Sequence, residues 1–261
     1  MNMMTRILTV FVLLPALLAG CATSNISKEK QKEKTLAAAR ANTQLGVEYL
    51  RKGEYETSLK KLNKALDIDP DYADAHDTLA VLYEKVGKLD LAEQHYKRGI
   101  KLDPDNSGAH NNYGRFLCNM KHYKEAEKEF LIAANNPFYQ NPELPLLNAG
   151  LCMEALPDAA KAEMYYREAL EKAPAFGPAL LQMARVSFEQ EQYLNARGYL
   201  QRYEQVSRQT PESLWLGVRT EYALHDRMAW GKYALQLKTN FPNSTQTTLL
   251  MEWENGRRSG N

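Results

Sequence analysis

The chain has 261 residues, of which 33 are Lys or Arg and 32 are Asp or Glu, giving a net charge of +1. The two signs alternate along the chain instead of collecting in a basic block, which argues against a nucleic-acid partner. Apolar residues make up 44%, enough for a substantial core, and tyrosines outnumber phenylalanines 15 to 7.

At the N-terminus, Arg6 precedes an apolar run from Ile7 to Leu18, which is too short for a comfortable transmembrane helix and has the form of a signal peptide over residues 1–20. The run ends in Leu18-Ala19-Gly20-Cys21. That ending resembles the lipobox of bacterial lipoproteins, and the resemblance implies that Cys21 is acylated and becomes the mature N-terminus. Residues 22 and 23 are Ala and Thr, so the aspartate associated with inner-membrane retention in such lipoproteins is absent. The implied location is the periplasmic face of the outer membrane, held by an acyl anchor that is firm because it carries several chains. Residues 21–38 then read as a polar tether without an apolar stripe.

From residue 39 the chain repeats itself. A small residue recurs as Gly46, Ala80, Gly114, Gly150 and Ala184, at intervals of 34, 34, 36 and 34. A second small series, Ser58, Ala92, Ala126, Ala162 and Ala196, is followed by a large one, Leu62, Tyr96, Phe130, Tyr166 and Leu200. Small against large is what two crossing helices need: the small side chain lets the backbones approach and the large one fills the space. A third small series, Ala65, Gly99, Ala133 and Ala169, is expected to pack against the following repeat. Pro70, Pro104, Pro174 and Pro242 stop the second helix of a unit, because proline cannot continue one. Between the third and fourth copies PFYQNPELP replaces the short turn.

A period near 34 with these residues resembles the tetratricopeptide repeat. The resemblance implies an all-α superhelix of about six helix-turn-helix repeats over residues 39–243, with a C-terminal capping helix and tail over 244–261 that closes the last open face. The sixth copy is degraded. Its first helix fits best when shifted by one, so that Trp215, Val218 and Tyr222 take the apolar positions.

The five histidines are scattered, and metal-ligand spacings, glycine-rich phosphate loops and nucleophile elbows are all missing from the sequence. The expectation is therefore a binding protein with no catalytic residues, no metal and no cofactor. In arrays of this kind the residues three before and one after the small position line a groove. Carried onto this chain they are Thr43 and Val47, Asp77 and Val81, Asn111 and Arg115, Leu147 and Leu151, Leu181 and Arg185. Leu147, Leu151 and Leu181 make one apolar patch, and Val47 with Leu50 another. Asn112 and Asn148 stand where the repeat commonly carries a structural asparagine.

Two further cysteines remain. Cys118 lies four places after Gly114 and Cys152 two after Gly150. An offset of two residues is a rotation of about 200° on a helix, so the two side chains can face each other across neighbouring first helices. A disulfide is expected in an oxidising compartment.

A lipobox, six repeats with a degraded last copy, and the segments NNYGRFLC and PFYQNPELPLLNAGLC together resemble the PilF/PilW family of type IV pilus biogenesis lipoproteins. That resemblance covers the mature chain. It implies a pilotin, which binds the outer-membrane secretin of the pilus, localises it and helps it multimerise. The alternative is another periplasmic adaptor lipoprotein with the same repeats, such as a helper of β-barrel insertion or a regulator of cell-wall synthesis.

Overall fold

A computed structural model describes residues 29–156 and 159–259. Among them are thirteen helices and no strand. Helix α1 covers 29–51, and α2 (Tyr55–Ile68), α3 (Ala73–Lys85), α4 (Leu89–Leu102), α5 (Ser107–Asn119), α6 (Tyr123–Asn135) and α7 (Glu143–Met153) follow. Next come α8 (Ala159–Lys172), α9 (Gly177–Glu189), α10 (Tyr193–Val206), α11 (Pro211–Ala223), α12 (Arg227–Asn240) and α13 (Thr245–Ser259). Successive pairs from α1/α2 to α11/α12 are six hairpins. The chain divides into two compact units, up to Asn112 and from Tyr113, with the boundary inside α5.

In the N-terminal unit, α1 and α2 cross so closely that a Cβ on Gly46 would stand 2.6 Å from Leu62 Cδ2 and force that side chain to shift. The Ser58 hydroxyl, buried in the same crossing, donates to the Gly46 carbonyl at 2.7 Å. Ala80 and Tyr96 do the same job in the next hairpin, both buried. In the C-terminal unit the pairs are Gly114 with Phe130, Gly150 with Tyr166, and Ala184 with Leu200. Five of the six first helices, all but α7, end in a turn whose amide bonds back five residues: Glu54 to the Tyr49 carbonyl, Lys88 to Tyr83, His122 to Leu117, Gln192 to Ser187 and Asp226 to Glu221, at 2.8–3.0 Å. The turn needs a left-handed residue. Gly53 and Gly87 supply it freely, whereas Lys121, Glu191 and His225 adopt φ of 60–63° despite their side chains.

Three expectations are corrected. The stretch read as tether is helical from residue 29, so α1 begins ten residues before the first repeat. Glu, Lys, Gln and Ala fill that stretch, and these residues extend an existing helix without needing an apolar face. Gly99 makes its nearest approach to α3 of its own hairpin, its Cβ position 3.4 Å from Ala73 O and Asp77 N, where the next repeat was expected. In the sixth hairpin Val218 is buried as expected, but Tyr222 is 41% exposed and Trp215 only partly buried. Thirty-four residues after Ala184 and Leu200 stand Val218 and Ala234, so large and small have changed places. The close approach moves one residue back, to Gly217 against Tyr233, and Leu214, Leu237 and the α13 residue Leu250 complete this core.

Cys118 and Cys152 are joined in a disulfide with Cα atoms 5.8 Å apart, tying the end of α5 to α7. The closed loop spans 34 residues, for which chain entropy gives about 3–4 kcal/mol. Replacing both cysteines by serine should lower the urea midpoint by a corresponding amount. Reductant should do the same to the wild type and nothing further to the double variant. Equal midpoints with and without reductant would show that the link adds no stability.

Candidate functional site

The predicted groove residues separate by position. In the N-terminal unit, Thr43 and Asn111 are buried, while Val47 and Val81 are half-buried. Leu50 packs against the buried cluster Leu62, Leu79 and Leu82, so it belongs to the core and does not line the groove. The physical reason is helical phase: Leu50, four residues beyond Gly46, turns back towards the hairpin partner. What remains open is a groove of about 1170 Å³ whose walls include Arg40, Thr43, Val47, Arg51, Tyr72 and Asp77.

Asp77 is the electrostatic oddity of this groove. Its Oδ2 accepts a 3.0 Å hydrogen bond from Asn112 Nδ2, and its Oδ1 is buried with no partner among the described residues. Loss of solvent raises its pKa to about 6; the Asn112 bond opposes the rise and Asp74 adds to it. Asn112 thus ties the third repeat to the second, in keeping with its structural reading.

In the C-terminal unit, Arg115 is exposed. Leu151 is 41% exposed, but Leu147 is only 7% exposed and Leu181 lies partly buried against Ala184, Leu200 and Leu216. The predicted three-leucine patch is therefore reduced to Leu151, because the position three before the small residue faces inward on these helices. Arg185 pairs with Glu154 and, at 3.2 Å, with Glu189. Glu154 also accepts the Tyr166 hydroxyl, so burial and this carboxylate together push the phenol far above its usual range. Arg185 is consequently held by the scaffold as well as facing the groove. The disulfide lies beside Leu151 in sequence, with Cys152 buried. Cys21 lies outside the described residues.

At the far end of this unit the expected capping helix is present as α13, and it assembles an aromatic cluster that the sequence reading does not foresee. Trp253 on α13 is surrounded by Tyr222, Trp215 and Trp230, with ring centroids at 4.6, 6.2 and 6.3 Å. The available signal was that all three tryptophans of the chain fall between positions 215 and 253. Among the described residues, no three His, Cys, Asp or Glu side chains converge as a metal site, and no helix is long and apolar enough to cross a membrane.

Models of the tetratricopeptide repeat match residues 46–87, 73–106 and 95–128. The type IV pilus assembly protein PilF of Pseudomonas aeruginosa is 34% identical over 245 residues, spanning 94% of this chain and 97% of its own length. The chain belongs to the PilF family. Its fold agrees: the solved P. aeruginosa PilF structure superposes with a TM-score of 0.74 at 32% identity, over 84% of this chain and 99% of that one. PilW, described as a widely conserved type IV pilus biogenesis factor, gives 0.71 at 29% identity, over 82% and 98%. These relatives are repeat-built pilus biogenesis factors, and this PilF-family chain shares their repeat architecture nearly end to end.

The two leucines of one helix should now behave differently. Leu147→Glu is expected to lower stability by about 2–5 kcal/mol, the range for losing a buried leucine, whereas Leu151→Glu should leave the urea midpoint nearly unchanged. Circular dichroism during urea titration checks both, and equal losses would place Leu151 in the core.

Proposed function

We propose that this protein is a pilotin: an acylated lipoprotein of the outer membrane that faces the periplasm, binds the secretin of the type IV pilus and helps it reach the membrane and multimerise. The observation that carries the reading is the end-to-end relationship to PilF, a type IV pilus assembly protein. The sequence Leu18-Ala19-Gly20-Cys21 followed by Ala22 and Thr23 supports the anchor and its membrane. Several acyl chains on Cys21 hold a protein at a bilayer far more firmly than one chain does.

Within this reading the protein acts by binding and not by catalysis. The groove of the N-terminal unit offers the secretin Val47 and the carboxylate of Asp77, and the C-terminal unit by itself offers the exposed Leu151 and the guanidinium of Arg185. Repeat arrays suit such work because each hairpin adds surface without altering its neighbours.

Deleting the gene is expected to remove heat-stable secretin multimers from the outer-membrane fraction, and restoring the wild-type gene should bring them back. Cys21→Ser should give a folded periplasmic protein that incorporates no radiolabelled palmitate and fails to restore them at the outer membrane. Unchanged multimers in the deletion strain would refute the pilotin role, and absence of palmitate from the wild type would refute the anchor.

A further inference from the structure

Around the Trp253 cluster the C-terminal unit opens a cleft of about 500 Å³ between α11, α12 and α13. That size suits one inserted side chain and its flanking backbone. Tyr222 and Trp230 contribute ring surface to its lining. Three carboxylates, Glu221, Asp226 and Glu254, also line it, together with one guanidinium, Arg227, and the imidazole of His225.

The carboxylates are fixed from behind. Arg197 on α10 bonds Glu221 and Asp226, and Lys238 on α12 holds Glu254 at 2.6 and 2.8 Å. Neither cation lines the cleft. Each carboxylate has about four acceptor positions, more than these bonds fill. An apolar group entering here would strip water from carboxylates without replacing its hydrogen bonds. A cation meets both the acceptors and the ring faces, which carry negative charge at their centres. The same unit already stacks its own guanidiniums on rings: Arg219 lies 4.2 Å from the Phe188 centroid and Arg202 5.6 Å from that of Tyr199.

We propose that this cleft receives a lysine or arginine side chain of a partner protein, its charge set over Tyr222 and Trp230 and hydrogen-bonded by Glu254 or Asp226. The surface is separate in residues from the groove at Leu151 and Arg185, and it stands whether or not the partner is a secretin.

The probe is the peptide acetyl-Gly-Lys-Gly-Arg-Gly-amide, titrated into the purified full chain while the three tryptophan indole N–H signals are followed by NMR. Two control peptides carry norleucine and citrulline, or two glutamates, in place of Lys and Arg. The basic peptide should shift the indole signals saturably, and both controls should bind about tenfold more weakly or worse. Tyr222→Ala and Glu254→Gln should each weaken the basic peptide severalfold. If Tyr222→Ala also lowers the melting temperature, Glu254→Gln, which keeps the size of the side chain and an acceptor for Lys238, carries the comparison. Equal binding of the norleucine and citrulline peptide would make the cleft an apolar site and overturn the proposal. Preference for the glutamate peptide, no shift with the basic peptide, or undiminished binding by Glu254→Gln would overturn it as well.

Discussion

Everything in this fold depends on the close crossing of two helices within each hairpin, a small residue on the first meeting a large one sixteen places later. Gly150 shows how tight the crossing is, since a Cβ there would fall 2.4 Å from the Tyr166 ring. Where the large residue is Leu200, alanine at 184 is accommodated and both are fully buried. The crossing fixes how the two helices sit, and the left-handed turn fixes how the chain passes between them. A period near 34 is the length that these two constraints leave.

Upon that apolar frame lies a second layer of polar ties, between helices of one hairpin and between neighbouring hairpins. Glu84 accepts the Tyr96 hydroxyl at 2.9 Å, and Glu154 accepts that of Tyr166 in the equivalent place two repeats later. Lys161 and Tyr165 both donate to Glu127, and Arg197 donates to Glu221. Each of these side chains is bonded within its own scaffold. Buried polar groups are costly unless bonded, so charges that look available to a partner are first claimed by neighbouring helices. Asp77, with one carboxylate oxygen bonded and the other buried without a partner among the described residues, stands apart within the groove.

The repeats were legible in the sequence because small and large residues at fixed spacing have one simple packing meaning. The pairing of Cys118 with Cys152 followed from the same helical phase. Leu147 occupies a groove position of the general repeat and Leu50 stands three residues beyond Val47, and spacing alone does not reveal that neighbouring helices cover both. The helix from residue 29 carries no apolar stripe to mark it in the sequence, because helix-favouring residues simply prolong α1 there. The sixth hairpin was hardest, since Val218 and Ala234 exchange large and small there. Its true contact, Gly217 with Tyr233, is displaced by one residue from the register of the other copies. The aromatic cluster around Trp253 depends on how α13 docks, which no local pattern encodes.

Membership of the PilF family fits a molecule that is scaffold throughout, in which each hairpin is held by one crossing and offers its remaining face for contact. The most direct test of that account is a double-mutant cycle on the tightest crossing, measured by urea unfolding. Gly150→Ala should cost about 1–3 kcal/mol, as overpacking does. The same change in a Tyr166→Leu background, which reproduces the Ala184 and Leu200 pair, should cost less by about 1 kcal/mol or more. Equal costs in the two backgrounds would mean that the two residues do not press on each other, and the crossing would lose its place as the element that sets the fold.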